Sequence, residues 1–279
     1  MSTAALFERL APRYDELWTE TAVGRAQRNA VWRVMDKLYG AGDCVLDIGC
    51  GTGEDAAHLG ARGVLVYGID ASPAMVERAR ARGVRAEVRQ IENLCGADPL
   101  VRAGRPRPAL SATNRTLAVV EGDRSGGGAS SARLDKLKHV PPLFDGAFSN
   151  FGALNCVEDV AGVARELGAL VRPGGYVAIC TMGRFCVWET LYYGLRLDFK
   201  RALRRLAGRA GEIRYPTVRQ LHADFAADFE LVCWSGVGML VPPSYVRLSA
   251  RIVNVLARFD RLPILRACAD HRLLVFKRK

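Results

Sequence analysis

The sequence predicts an α/β protein built on a doubly wound, largely parallel sheet. Three observations lead there. Short apolar runs alternate with helix-forming stretches along most of the chain, and "VLDIGCGTG" at 45–53 places Gly49, Gly51 and Gly53 directly after the first such run. The next apolar run, "VLVYGID", again closes on an acid, Asp70. Strands that are apolar throughout belong to parallel sheets covered by helices on both faces.

Each element follows in order. Residues 2–40 read as helical, because Val31, Val34, Met35 and Leu38 recur at helical spacing until Gly40 and Gly42 stop the pattern. "CVLDI" (44–48) is a strand, and 54–62 a helix closed by Gly63. After the strand at 64–70, Ser72-Pro73 supplies an N-cap and a first-turn residue for a helix. "VRAEVRQ" (84–90) is a third strand. Beyond an interruption come a strand at 144–151, a helix near 158–171 and a strand at 175–182. "CVWETLYYGLRLDFKRALRRLAGR" (186–209) reads as one amphipathic helix, with Trp188, Leu191, Tyr192, Leu195, Phe199 and Leu206 on one face. Arg196, Lys200, Arg201, Arg204 and Arg205 lie elsewhere on it. Two closing strands, 229–240 and 271–279, flank a further amphipathic helix at 244–259.

Three units result. Residues 1–43 are N-terminal helices, 44–183 a core, and 184–279 a helical cap plus closing strands of the same sheet. The interruption at 96–142 holds clusters such as "DRSGGGASSAR" with little apolar periodicity, and is expected to be a mobile insertion.

Composition excludes several classes. Of 279 residues, 49% are hydrophobic and 25% charged, which is ordinary for a soluble globular enzyme. Glu8, Arg9 and Arg13 stand where a signal peptide needs an apolar run, and no stretch has the length of a membrane span. The eight cysteines form no CxxC pair, and several sit in apolar runs, so a reduced, cytoplasmic protein without structural metal is expected. The net charge of +11 has two readings. Only six of the 40 basic residues are lysine, so a basic surface and an arginine-rich genome composition both account for it. His58, His222 and His271 read as packing or capping residues, and His139 lies in the insertion.

The glycines must hold a ligand. A dinucleotide needs G-x-G-x-x-G, with a small residue where this chain has Glu54. Glu54 and Asp55 suit the helix dipole but repel a pyrophosphate. Asp70, at the end of the second strand, can accept hydrogen bonds from both ribose hydroxyls of an adenosine. The combination asks for adenosine without phosphates, and S-adenosyl-L-methionine fits.

With "GIDASPAM", "FDGAFSN" and "LVRPGGYVAI" following "VLDIGCGTG" in order, residues 45–182 resemble the class I S-adenosylmethionine-dependent methyltransferases. The resemblance implies a seven-stranded, Rossmann-like sheet of order 3-2-1-4-5-7-6 with the last strand antiparallel. It implies that Gly49, Cys50, Gly51 and Gly53 run beneath the methionine moiety and that Asp47 orients this loop. Asp70 would bind the ribose, Ala71 and Met75 would line the adenine pocket, and Gln90 and Ile91 would meet the adenine edge, where the family often has an acid and a small residue. Asn150, in "SNFGALN" (149–155), would face the cofactor and Asn155 the acceptor cavity. "FERLAPRYDELW" (7–18) resembles the entry segment of small-molecule methyltransferases, in which Tyr14 covers the methionine end.

Trp188 and Tyr192 are expected to overhang the transfer site, which suggests a bulky apolar or lipid-like acceptor. The basic helix carrying them suggests peripheral contact with an anionic membrane. No catalytic residue stands out, and none is required, since a sulfonium is already a good leaving group. Nucleic acid is not expected, because the Asn/Asp-Pro-Pro-aromatic segment of base-amino methyltransferases is absent after the fourth strand. A nucleic-acid methyltransferase and a catalytically silent binder of S-adenosylmethionine remain the alternatives.

Overall fold

The computed structural model describes residues 3–94, 144–241, 249–258 and 263–279. The expected insertion at 96–142 therefore lies outside the described residues. Seven strands form one sheet: β1 Cys44–Ile48, β2 Leu65–Asp70, β3 Arg85–Val88, β4 Phe144–Ser149, β5 Val171–Met182, β6 Phe229–Val237 and β7 His271–Arg278. Their order is β3-β2-β1-β4-β5-β7-β6. The first five are parallel, and β7 runs antiparallel to both neighbours, pairing Tyr176 with Lys277 and Met182 with His271 on the β5 side. This is the order and the orientation that the resemblance implied.

Nine helices among the described residues dress the sheet: α1 Thr3–Leu10, α2 Ala22–Leu38, α3 Glu54–Gly60, α4 Pro73–Ala81, α5 Val160–Leu170, α6 Val187–Gly194, α7 Phe199–Ala202, α8 Val218–Phe225 and α9 Ala250–Leu256. None is long and apolar enough to cross a membrane. Their starts are written locally. Ser72 caps α4 by accepting from Met75 N, Asp159 caps α5 by accepting from Gly162 N, and Thr217 with Gln220 forms a capping box on α8.

Because strand side chains alternate between faces, each strand feeds two cores. Leu46, Ile48, Leu274 and Phe276 pack with α5 and α8, whereas Val45, Phe148, Ala178 and Leu273 pack with Val31 and Met35 of α2.

The single helix expected over 186–209 is not formed. The chain leaves α6 at Gly194, turns through Leu197 in a left-handed conformation (φ 58°) and begins α7, where Asp198 accepts from Arg201 N. Charge explains the fold-back. Glu189 is buried and holds Arg204 at 2.6 Å and Arg205 at 2.6 Å. On a straight helix, residues fifteen apart would lie about 22 Å apart. Arg205 continues to Asp270 at 2.9 Å, tying the cap to the start of β7. Burial alone would raise the Asp270 carboxyl, but His271 and Arg205 hold it well below the usual carboxylate range.

The N-terminal stretch is likewise subdivided. A 3-10 turn at Ala11–Arg13 contains Pro12, a π-turn spans Asp15–Thr19, and α2 starts after a Thr21 cap.

Phe276 is fully buried, with its ring stacked 4.5 Å from that of Phe225. Phe276→Ala should lower the unfolding free energy by about 3–5 kcal/mol in urea titration, as for other buried aromatics. Val232→Ala, on the exposed side of β6, should change it by less than about 0.5 kcal/mol.

Candidate active site

The site forms where β1, β2 and β4 end. Gly49 N and Cys50 N both donate to Ile69 O, at 2.8 and 2.9 Å, which folds the glycine loop back over β2. Asp70 then locks two loops with one carboxylate: Oδ2 accepts from Gly51 N and Oδ1 from Ser72 N, each at 2.9 Å. Gly51 has φ 53°, and a Cβ built there would meet nothing within 4 Å, so its bare face looks onto open space. At Gly49 the reason for glycine is different. A Cβ would fall 2.3 Å from the Ala153 Cβ, so only glycine lets the turn after β4 approach.

These loops border a cavity of about 250 Å³. Of the expected cofactor residues, Tyr14, Gly49, Gly51, Asp70, Ala71 and Met75 line it, as do Gln90, Ile91 and Asn150. Asp47, Cys50 and Gly53 stand behind it. Asp47 is buried in β1, Cys50 packs into the small core beneath α3 and α4, and the bare face of Gly53 lets α3 close onto Ala79.

The three residues expected at the acceptor are placed elsewhere. Asn155 is fully buried: its amide donates to Arg214 O at 2.5 Å and to Met182 O, and its carbonyl accepts from Met182 N at 2.9 Å. It fastens a small hairpin, Arg209–Ala210 with Ile213–Arg214, to the end of β5. Trp188 and Tyr192 ride on α6 and do not line the cavity, and the Tyr192 ring stacks under Arg196 at 3.7 Å.

Sequence reasoning missed Phe7, Ser72, Glu92, Phe151, Ala153, Cys156, Val157 and Glu212, all of which line the cavity. Phe151, Ala153 and Val157 lay in or beside the "SNFGALN" segment and were findable by position. Glu212 sits at the tip of the hairpin, where no motif announces it.

The N-terminal segment is held over the cavity by charge. Asp15 accepts from Thr52 Oγ1 at 2.7 Å and pairs with Arg78 and Arg82, while Glu8 accepts from Ser72 Oγ and Ala74 N. Tyr14 is thereby half-buried, and desolvation pushes its phenol up to about 12, so it stays protonated at neutral pH.

One buried cation faces several carboxylates. Arg28 pairs with Asp55 at 2.6 Å and lies over the rings of Trp18 and Phe151, at 4.6 and 5.2 Å. Asp55 also accepts from Trp32 Nε1 at 2.7 Å and Asn150 Nδ2 at 3.0 Å. Phe151 adopts φ 54°, a conformation uncommon for a bulky residue and held here by these contacts.

Three polar atoms at this centre have no partner: Asp47 Oδ2, Asn150 Oδ1 and Arg28 Nε. Burial raises the Asp47 carboxyl well above its ordinary range, and the neighbouring charges of Asp55 and Asp70 add to it. The two acceptors call for a donor, the Arg28 Nε–H calls for an acceptor, and the surplus of carboxylate favours a cationic ligand. A sulfonium ligand with an ammonium group, a carboxylate and two ribose hydroxyls meets each demand, so the residues present fit S-adenosyl-L-methionine.

A family model described as "Methyltransferase domain" matches residues 5–233. Methyltransferase-like protein 27 of Homo sapiens is 39% identical over 99 residues, covering 34% of this chain and 38% of that protein. The 2-phytyl-1,4-naphtoquinone methyltransferase of Nostoc punctiforme is 28% identical over 187 residues, covering 64% of each. The chain thus spans less than two thirds of the length of these curated relatives. Among solved structures, an S-adenosylmethionine-dependent methyltransferase of Thermotoga maritima superposes with a TM-score of 0.54 at 16% identity, covering 99% of both chains, which shows a shared fold.

Removing one half of the buried pair should be costly. Asp55→Ala leaves the Arg28 guanidinium buried without a counter-charge and should lower stability by about 3–5 kcal/mol in chemical denaturation. Pairing it with Arg28→Met should recover much of that loss.

Proposed function

We propose that this chain, which belongs to the methyltransferase domain family and to its class I S-adenosyl-L-methionine-dependent enzymes, moves the methyl group onto a small, bulky, apolar or lipid-like acceptor. The carrying observation is the set of unpartnered buried acceptors at Asp47 and Asn150, beside a glycine face open to the cavity.

S-adenosyl-L-methionine supplies, when bound, an electrophilic methyl group on a sulfonium that leaves readily. The chain does the rest by position. Asp70 takes the ribose hydroxyls on the lone pairs that Gly51 N and Ser72 N leave free. Asn150 Oδ1 takes the ammonium end, and Asp47, buried behind the cavity, orients the glycine loop. Met75, Ala71 and Ile91 give the adenine an apolar slot, and Tyr14 closes the methionine end. Such fixed geometry and exclusion of water are the main sources of acceleration for a transfer of this kind.

The acceptor reading rests on the remaining wall. Phe7, Phe151, Ala153 and Val157 make it apolar and aromatic, and Glu212 of the cap hairpin lines it as well. The naphthoquinone methyltransferase among the relatives is named for a substrate of this character.

Asp70→Ala should weaken S-adenosylhomocysteine binding in calorimetry, each charge-assisted hydrogen bond being worth about 1.5–3 kcal/mol and the two not adding fully. Gly51→Val should weaken it further, because the branched side chain fills the open face. An unchanged dissociation constant in Asp70→Ala would remove the ribose assignment.

The pH dependence has a definite sign. Burial raises the Asp70 carboxyl, partly opposed by its backbone hydrogen bonds, and the ribose hydroxyls need it ionised. Affinity for S-adenosylhomocysteine should therefore fall as pH drops, beginning above the ordinary carboxylate range. Asp70→Asn should remove that share of the titration, and a profile identical to wild type would contradict the assignment.

A further inference from the structure

We infer that the break between α6 and α7 is a membrane-docking tip, which presents apolar side chains to the acyl region of an anionic bilayer and arginine and lysine to its headgroups. Of the thirteen large apolar side chains exposed among the described residues, six lie within 191–206: Leu191, Leu195, Leu197, Phe199, Leu203 and Leu206. The turn itself is the extreme case, with Leu195 85%, Leu197 76% and Phe199 61% exposed. Scattered exposed leucines need no account, but a contiguous run of this kind marks an interaction surface.

The backbone supports the same reading. Leu197 is left-handed, with φ 58°, a strained choice for a bulky residue where glycine or asparagine would serve. It turns the two leucines outward on either side of Arg196.

Charge selects the partner. Residues 191–206 carry five basic side chains against one acid, Asp198. Glu189 and Asp270 neutralise Arg204 and Arg205 within the fold. Arg196, Lys200 and Arg201 are exposed beside the apolar tip, and only Arg201 meets an acid there, Asp198 at 3.4 Å. Apolar insertion flanked by exposed cations suits a bilayer containing anionic lipid. A second copy of this chain fits less well, because a two-fold contact through the same patch sets arginine against arginine.

The tip also has a route to the site. The cap chain passes directly from α7 into the hairpin whose tip residue, Glu212, lines the cavity. An apolar acceptor held in a bilayer would then meet the chain near its cavity. That last step rests on the acceptor proposed above, whereas docking itself does not.

Co-sedimentation of the full chain tests this, using vesicles of equimolar phosphatidylcholine and phosphatidylglycerol against vesicles of phosphatidylcholine alone. Wild type should bind the anionic vesicles, and binding should fall as salt is raised. In Arg196→Gln/Lys200→Gln, each neutralised charge should weaken binding about fivefold, the equivalent of about 1 kcal/mol. Leu195→Ser/Leu197→Ser/Phe199→Ser should abolish it while calorimetric affinity for S-adenosylhomocysteine stays at the wild-type value.

Absence of wild-type binding, or binding that the triple variant retains, overturns the proposal. So does a concentration-dependent dimer, seen by analytical ultracentrifugation, that the triple variant dissolves. Failure of S-adenosylhomocysteine binding in every form, wild type included, would instead overturn the methyl-transfer reading and leave docking standing.

Discussion

The Asp55 carboxylate is the joint on which the site depends. It belongs to the first turn of α3, yet its partners come from α2 (Arg28 and Trp32) and from the end of β4 (Asn150). The N-terminal helices, the glycine loop and the central sheet are therefore held in one register by a single buried anion. A buried pair of this kind contributes less to net stability than to geometry, because desolvation offsets much of the attraction. Its value here is that it fixes Arg28 against the rings of Trp18 and Phe151, the second of which lines the cavity.

Much of this was legible in the sequence because it is local. Strand–turn–helix punctuation, the Ser72-Pro73 start and the acids closing β1 and β2 depend on neighbours a few positions apart, so the strands and helices of the core could be anticipated, whereas the sheet order and most of the residues around the cavity came from the family resemblance. What failed was non-local. The helix expected over 186–209 has a consistent helical period, and propensity alone would keep it straight. Glu189, Arg205 and Asp270 break it through ion pairs that span the cap and the sheet, which periodicity cannot register. Asn155 was misplaced for a related reason. Its position after β4 was read correctly, but its amide is consumed by the backbone of β5 and of the hairpin. Glu212 reaches the cavity only because that hairpin exists.

The glycine loop shows how one motif serves separate physical ends. Gly49 admits a neighbouring turn, Gly51 leaves room for something the protein itself does not contain, and Gly53 lets two helices close. Gly49 and Gly51 both line the cavity, but only at Gly51 would a side chain meet open space. A spacing pattern alone treats the three as equivalent, whereas the atoms that a side chain would meet at each separate structural need from ligand need.

The position of β7 has a consequence for how the chain assembles. It follows β6 in sequence but lies between β5 and β6, where Leu273, Leu274, Val275 and Phe276 are all buried. During synthesis, β6 therefore emerges with no strand to pair with, and the side of β5 that later meets β7 stays bare until residues 271–278 arrive. Closure requires the late segment to slot between two strands already made, an ordering step of long sequence separation and hence slow. Until then the nascent chain offers two apolar strand edges at once, the condition in which chains pair wrongly with one another. Escorting by a chaperone would matter most in that interval, between the exit of β6 and the exit of β7.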